Sequence, residues 1–370
     1  MRLDDRLGRP WALLPNRVSR FYRGGLLLDG FRGAAAPADT NEPEDWVGSA
    51  TRAWTPPDTV STEEGLGSAD FGGGERQLIA DILEANPEAV AGVDLVARAG
   101  PTLGVLVKLL DAGIRLPVHA HPTRAFARHN LGSFFGKAEA WIVLGTREVP
   151  GEPEPGIRLG FSRPVGRDEL RRWIEDENSD ELLEALNNRP TAAGDVWFVP
   201  PGTPHAIGAG VFILEVQEPS DFSIVLETRG FPIDPRDAHL GLGWDVVLDA
   251  IDRAPMRPDD LVAGTWRDAV APNRLRQLLP TVAAPFFRAD GVRVEGTCRP
   301  ALDGAFVVGV AIAGSGTVRG PAGSLDVATG STFGLPAAAA PEVEFHSRDG
   351  LTLILCRGPR PEDLDREAPE

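Results

Sequence analysis

Two short segments constrain this chain more than anything else in it. The first runs Gly113-Ile114-Arg115-Leu116-Pro117-Val118-His119-Ala120-His121-Pro122, and the second runs Gly194-Asp195-Val196-Trp197-Phe198-Val199-Pro200-Pro201-Gly202-Thr203-Pro204-His205. Of six histidines in 370 residues, half fall here, so imidazole is concentrated rather than scattered. Histidines two apart on a strand point to the same face. The second segment reads as a strand entering a Pro-Gly turn, with His205 opening the next strand. Neutral imidazole is a ligand for transition metals. A fold that brings the two segments together therefore presents three such ligands at one place.

The spacing matches a known pattern. Cupin barrels carry a glycine, five residues and His-x-His, and later a glycine, five residues, Pro-x-Gly, two residues and His. Five residues separate Gly113 from His119 and Gly194 from Pro200, and two separate Gly202 from His205, with no gaps. A carboxylate is expected as the fourth ligand. Glu139 opens the apolar run Glu139-Ala140-Trp141-Ile142-Val143-Leu144, which reads as a strand. The expected metal set is His119, His121, Glu139 and His205, with an open position for substrate. The alternative, four unrelated polar residues, does not account for the spacing.

The rest of the chain supports a mostly β architecture: two cupin (jelly-roll β-barrel) domains with a helical insertion in the N-terminal part. The 42 glycines and 33 prolines favour many turns and short strands. Residues 1–275 are expected to form the metal-binding domain. It includes helical segments at about 75–99, where Leu78, Ile79, Ile82 and Leu83 form a stripe that Pro87 interrupts, and at about 168–187. The stretch 34–70 reads as loop with short strands, and 237–252 as a further helix. Short strands separated by Gly-rich turns fill 280–360, read as a second barrel. It lacks His-x-His, so it is expected to be metal-free, with His346, like His129 and His239, outside any site. The tail 361–370 is charged and Pro-rich, and is expected to be disordered.

A net charge of −17 argues against nucleic acid or an anionic membrane as partner. Two cysteines, Cys298 and Cys356, in a chain this long fit a reduced compartment. No h-region opens the chain and no run reaches the length of a membrane span. A soluble, cytoplasmic protein is expected, with no prediction of its oligomeric state.

Across nearly its whole length, from about Tyr22 to Arg360, the chain resembles the class I mannose-6-phosphate isomerases, zinc cupin enzymes that convert an aldose phosphate to a ketose phosphate through an enediol. The resemblance rests on "EDWVGS" at Glu44–Ser49, "KLLDAGIRLPVHAHP" at Lys108–Pro122, "FGKAEAW" at Phe135–Trp141 and "GDVWFVPPGTPHAIGAGVFILEVQEPSD" at Gly194–Asp221. It implies the same four metal ligands, an active-site lysine at Lys137, and acidic residues at Glu215 and Glu44. Three positions depart from the family. His119 stands where the family has a glutamine ligand. Pro117 replaces a phosphate-holding serine, and a gapless count from Ser220 puts Val225 where the family has an arginine. A phosphate monoester requires several charge-assisted donors. Arg229 and Arg236 are the nearby candidates to replace the lost arginine; without them, a free or otherwise decorated sugar is expected.

The reading is therefore a metal-dependent aldose–ketose isomerase acting on a sugar or sugar phosphate. Zinc is favoured as the single divalent ion, with manganese, iron, nickel and cobalt open, because three histidines and a glutamate also occur in other cupins. Glu215, inside the apolar run Phe212–Val216, is the first candidate base. Lys137 is the second and Glu44 the third. Lys108, alone among apolar neighbours, and Trp46 are candidate substrate contacts. The alternatives are a cupin oxidoreductase or dioxygenase, which would want a drier pocket, and a non-catalytic sugar-binding protein.

Overall fold

The computed structural model describes residues 3–55, 62–257 and 263–364. Strand makes up 34% of the chain and helix 20%, and the sheets are antiparallel, as the turn-rich composition predicts. Three sheets carry the fold.

The central sheet has seven strands, in the order Ala263–Thr265, Asp195–Val199, Glu139–Thr146, Val211–Gln217, Leu106–Ala112, Glu44–Val47 and Arg17–Val18. Its middle strands are covered on both faces and so read as continuous apolar runs rather than alternating ones. Val107, Leu109, Ala140, Ile142, Leu214 and Val216 enter one core. Leu110, Trp141, Val143, Val211 and Ile213 enter another, where they meet Leu116, Ile157, Leu159 and Ile207. Those last three strand residues belong to the five-stranded sheet, in the order Leu186–Pro190, Gly156–Phe161, His205–Ile207, His119–Ala120 and Ile224–Val225. The two sheets thus pack face to face.

Helices Arg167–Glu175 and Ser179–Glu184 cover the outer face of the five-stranded sheet. They place Leu170, Trp173, Ile174 and Leu182 against Val118, Phe161, Ala206 and Ile224. The expected helix at 75–99 is three short ones, Ile79–Ala85, Pro87–Ala91 and Val93–Ala99, after the strand Arg76–Leu78. Pro87 starts a helix instead of merely ending one. At Gly92, φ is 97° and an added Cβ would lie 2.4 Å from the Gly304 carbonyl, so the chain must turn there. The helix expected at 237–252 is confined to Trp244–Val247 and a single 3-10 turn at Leu248–Ala250. Leu240 takes φ of 56° and Gly241 φ of 75°, which no α-helix accommodates.

The third sheet joins the two ends of the chain. Strands from Arg276 to Arg357 enclose Val292, Phe333, Phe345 and Leu353. The sheet continues through Thr332–Leu335 into Trp11–Leu13, Ser68–Asp70 and Arg76–Leu78. N-terminal residues are therefore hydrogen-bonded into the C-terminal sheet. The tail also departs from expectation at its start. Pro361–Leu364 is helical, Leu364 is buried, and its carbonyl accepts from Arg124 at 2.9 Å. Residues 56–61 of the expected loop and 365–370 of the expected disordered tail lie outside the described residues.

Trp11 is fully buried against the rings of Phe71 and Phe306, with centroids 5.9 and 5.6 Å away, and fixes this junction. Trp11→Ala is expected to cost about 3–5 kcal/mol, the usual range for deleting a buried aromatic side chain. Urea unfolding followed by circular dichroism checks this.

Candidate metal centre and pocket

The strand registers put the chemistry in two facing rows. On the five-stranded sheet His205 pairs with His119, and His119 pairs on its other side with Val225. On the seven-stranded sheet Glu215 lies abreast of Lys108 and of Trp141, and Lys108 abreast of Trp46. Glu139 opens the Trp141 strand, and His121 follows the His119 strand. Polar groups thus interrupt apolar strands at matched positions on adjacent strands, with Lys108, Glu215 and Trp141 on one shared face.

The three imidazoles are anchored alike. Nδ1 lies 2.9 Å from the Pro117 carbonyl in His119, 2.7 Å from that of Phe222 in His121, and 2.7 Å from that of Thr203 in His205. A carbonyl only accepts, so each Nδ1 carries the proton and each Nε2 is left as a lone pair. The Nε2 atoms of His119 and His205 then face each other at 3.0 Å. Two lone pairs at that distance repel unless a cation lies between their axes. One ligand atom from each of the three histidines lies within 4.8 Å of the others. Glu139 completes the cluster, with its carboxylate oxygens 3.1 Å from His121 Nε2 and 3.2 Å from His205 Nε2. Backbone-anchored imidazoles with a buried carboxylate form a donor set suited to a transition metal. Burial pushes His121 down to about 3 and holds His119 well below the ordinary imidazole value. Both rings are therefore neutral near pH 7, as ligation requires.

Lys137 lies just before its expected strand. Its Nζ is 2.8 Å from His121 Nε2 and 3.2 Å from Glu139 Oε2. Trp141 Nε1 donates to Glu139 at 3.0 Å and to Glu215 at 3.3 Å, tying the two carboxylates together. The other oxygen of Glu215 lies 3.3 Å from Lys108 Nζ but accepts no aligned hydrogen bond. Burial, with the nearby charge of Glu139, raises Glu215 to about 7.

Glu44 differs in kind. Tyr22 donates to it at 2.5 Å, Trp46 at 2.7 Å and Arg20 at 3.0 Å, and Lys108 lies 3.7 Å away. Burial alone would raise its pKa, but the Arg20 and Lys108 cations overcome this and hold it well below the carboxylate range. Lys108 is likewise depressed by burial but raised overall by Glu215, Glu44 and Asp221.

These groups line a pocket of about 320 Å³. The lining includes His119, Lys137, Glu139, Glu215, Lys108 and Glu44, together with Pro117, Val225, Ile233, Asp234 and Asp237. Trp46 is not part of the lining. It is fully buried behind it, with the Lys108 ammonium 4.6 Å and the Arg20 guanidinium 5.1 Å from its ring. Arg229 and Arg236 are exposed and absent from the lining, and Arg236 is held on Asp234. His346 lies 3.1 Å from Thr297 Oγ1, in the C-terminal sheet.

Sequence reasoning missed Arg20, Tyr22 and Asp221. Arg20 reaches Asp221 at 3.5 Å as well as Glu44, so an N-terminal loop closes a site more than a hundred residues further along the chain. The one available signal was that Tyr22 is the only tyrosine in the chain.

No protein-family model matches the chain. Over 118 residues it is 38% identical to mannose-6-phosphate isomerase of Streptococcus mutans, covering 32% of this chain and 34% of that protein. Over 139 residues it is 33% identical to mannose-6-phosphate isomerase ManA of Bacillus subtilis, covering 38% and 40%. In these segments the chain is similar to mannose-6-phosphate isomerases. The matched segments span only a third to two fifths of these relatives' length. The solved mannose 6-phosphate isomerase of B. subtilis superposes with a TM-score of 0.66 at 21% identity, covering 94% of this chain and 99% of that one. A mannose 6-phosphate isomerase bound with zinc and yttrium superposes with a TM-score of 0.64 at 15% identity, covering 95% and 100%. The fold is therefore shared end to end, while the sequence likeness is local.

Substituting one of these imidazoles removes a candidate donor outright. His121→Ala and His205→Ala should therefore lower metal affinity by more than the 10–100-fold typical of outer-shell changes. His346→Ala should retain wild-type metal content. Elemental analysis after dialysis against a chelator distinguishes these outcomes.

Proposed function

We propose that the protein is a metal-dependent aldose–ketose isomerase acting on a sugar or sugar phosphate, with His119, His121, Glu139 and His205 as ligands. The carrying observation is the set of three carbonyl-anchored imidazoles converging with Glu139 beneath a pocket that also holds Glu215. The likeness to mannose-6-phosphate isomerases supports the reaction class, and a zinc-bound relative favours zinc. The paired sheets support two cupin-type barrels, about 1–275 and 280–360, with N-terminal strands lent to the second. We place the protein in the cytoplasm, consistent with its two unbridged, buried thiols; no described helix is long and apolar enough to cross a membrane.

When bound, a divalent metal supplies Lewis-acid stabilisation to the charge that develops on the substrate's carbonyl and hydroxyl oxygens. Glu215 takes the proton from the hydroxyl-bearing carbon beside the carbonyl and returns it to the carbonyl carbon, while the hydroxyl proton passes to the former carbonyl oxygen, which balances the step. Its value near 7 suits that exchange, since the group must both accept and release a proton near neutral pH. Trp141 orients one of its oxygens, and Lys108 holds the other without a directed hydrogen bond. Lys137 is placed to donate to a substrate oxygen next to the ligands. Glu44 is saturated by Tyr22, Trp46 and Arg20, which removes it from proton transfer and makes it a positioning residue for Lys108. A dioxygenase pocket would be apolar, whereas this lining is charged. A purely sugar-binding protein has no use for a carboxyl held near neutrality.

The test is proton exchange between solvent deuterium and sugars, followed by NMR on metal-loaded protein. Glu215→Gln should keep the metal and lose exchange by about 100-fold or more; unchanged exchange transfers the role to Lys137. The carboxylate form prevails only above the Glu215 value, so wild-type kcat/KM should fall on acidification from about pH 7, by about tenfold per unit. A nearby bound cation moves that limb lower. The limb should be missing from the residual activity of Glu215→Gln.

A further inference from the structure

We propose that the pocket takes a neutral, non-phosphorylated sugar. The inference rests on the isomerase reading and specifies its substrate class. Three cations line the pocket, Arg20, Lys108 and Lys137, against six carboxylates, Glu44, Glu139, Glu215, Asp221, Asp234 and Asp237. Asp234 is paired with Arg236, so with a bound divalent ion the charges come close to balance and no excess positive charge remains.

Two of these cations are already committed to carboxylates. Arg20 bridges Glu44 and Asp221. Lys108 lies within 4 Å of Glu215, Glu44 and Asp221, at 3.3, 3.7 and 3.9 Å. The third, Lys137, stands beside His121 and Glu139, two of the proposed ligands.

The rest of the lining presents Pro117, Val225 and Ile233, which offer no side-chain donor, with Asp237 and with Asp234, which is paired to Arg236. Val225 is abreast of His119 in the strand register, so this apolar patch is fixed beside the metal cluster. Ser223 adds one neutral hydroxyl. A dianion left without paired donors is strongly disfavoured. The Arg236 guanidinium is chelated by Asp234, and its side chain is 87% exposed. Sugar hydroxyls, by contrast, donate as readily as they accept, and the lining carboxylates are good acceptors for them.

The experiment pairs turnover with binding on the metal-loaded full chain. Deuterium exchange compares mannose with mannose 6-phosphate. Calorimetry compares the unreactive polyols mannitol and mannitol 1-phosphate. The expected result is binding of mannitol at least tenfold tighter than its phosphate, the same order in kcat/KM, and a smaller gap in Asp237→Asn. A tenfold preference for either phosphate ester overturns the inference, as does failure of mannitol to bind. If Arg236→Ala then abolishes the ester's advantage, Arg236 is the anchor omitted above. Tight mannitol binding with no exchange on any sugar would sink the isomerase reading while leaving the neutral-sugar site standing.

Discussion

The structure turns on three imidazole lone pairs aimed at one point. Each ring is fixed by a carbonyl behind it, and two of the Nε2 atoms stand 3.0 Å apart. Such an arrangement is unfavourable in a metal-free protein and favourable around a cation. It is maintained because the strands that bear it are locked between two apolar cores, one on each face of the five-stranded sheet. The packing energy of those cores holds the geometry that the metal then exploits.

The same logic governs the carboxylates. Glu44, Glu139 and Glu215 share one pocket but not one environment. Glu139 is held low by Lys137 and the histidines despite its burial, and Glu44 by Arg20 and Lys108. Glu215 has a single ion-pair partner, and burial raises it toward neutrality. The three carboxylates are thus separated by the number of donors each receives, a difference of environment within one residue type on which the proposed roles of ligand, positioning group and base rest. Arg20 and Lys108, which hold Glu44 low, are themselves paired in doing so.

Much of this site was readable in the chain. His119, His121 and His205 were marked by spacing alone, and Glu139, Glu215 and Lys108 by being charged within apolar runs. Those runs are buried on both faces, so an ionisable residue within them had to be paired. The surroundings were less legible. Trp46 was expected at the substrate; it shares the face of Lys108 but lies fully buried beneath the Lys108 and Arg20 cations, which sequence does not announce. Arg229 and Arg236 were expected to reach inward from sequence proximity to Val225. The turn that carries them leaves both exposed.

The sequence by itself determined the strand-rich architecture, the ligand spacing and the charged positions within buried strands, since these depend on local periodicity and turn chemistry. Only the tertiary structure decided which groups stand abreast. The pairing of Glu215 with Lys108, the closure of the site by Arg20 and Tyr22, and the joining of Trp11–Leu13 to Thr332–Leu335 are contacts between distant segments. Strand register and loop packing set them, and no local pattern encodes which distant strand supplies the partner.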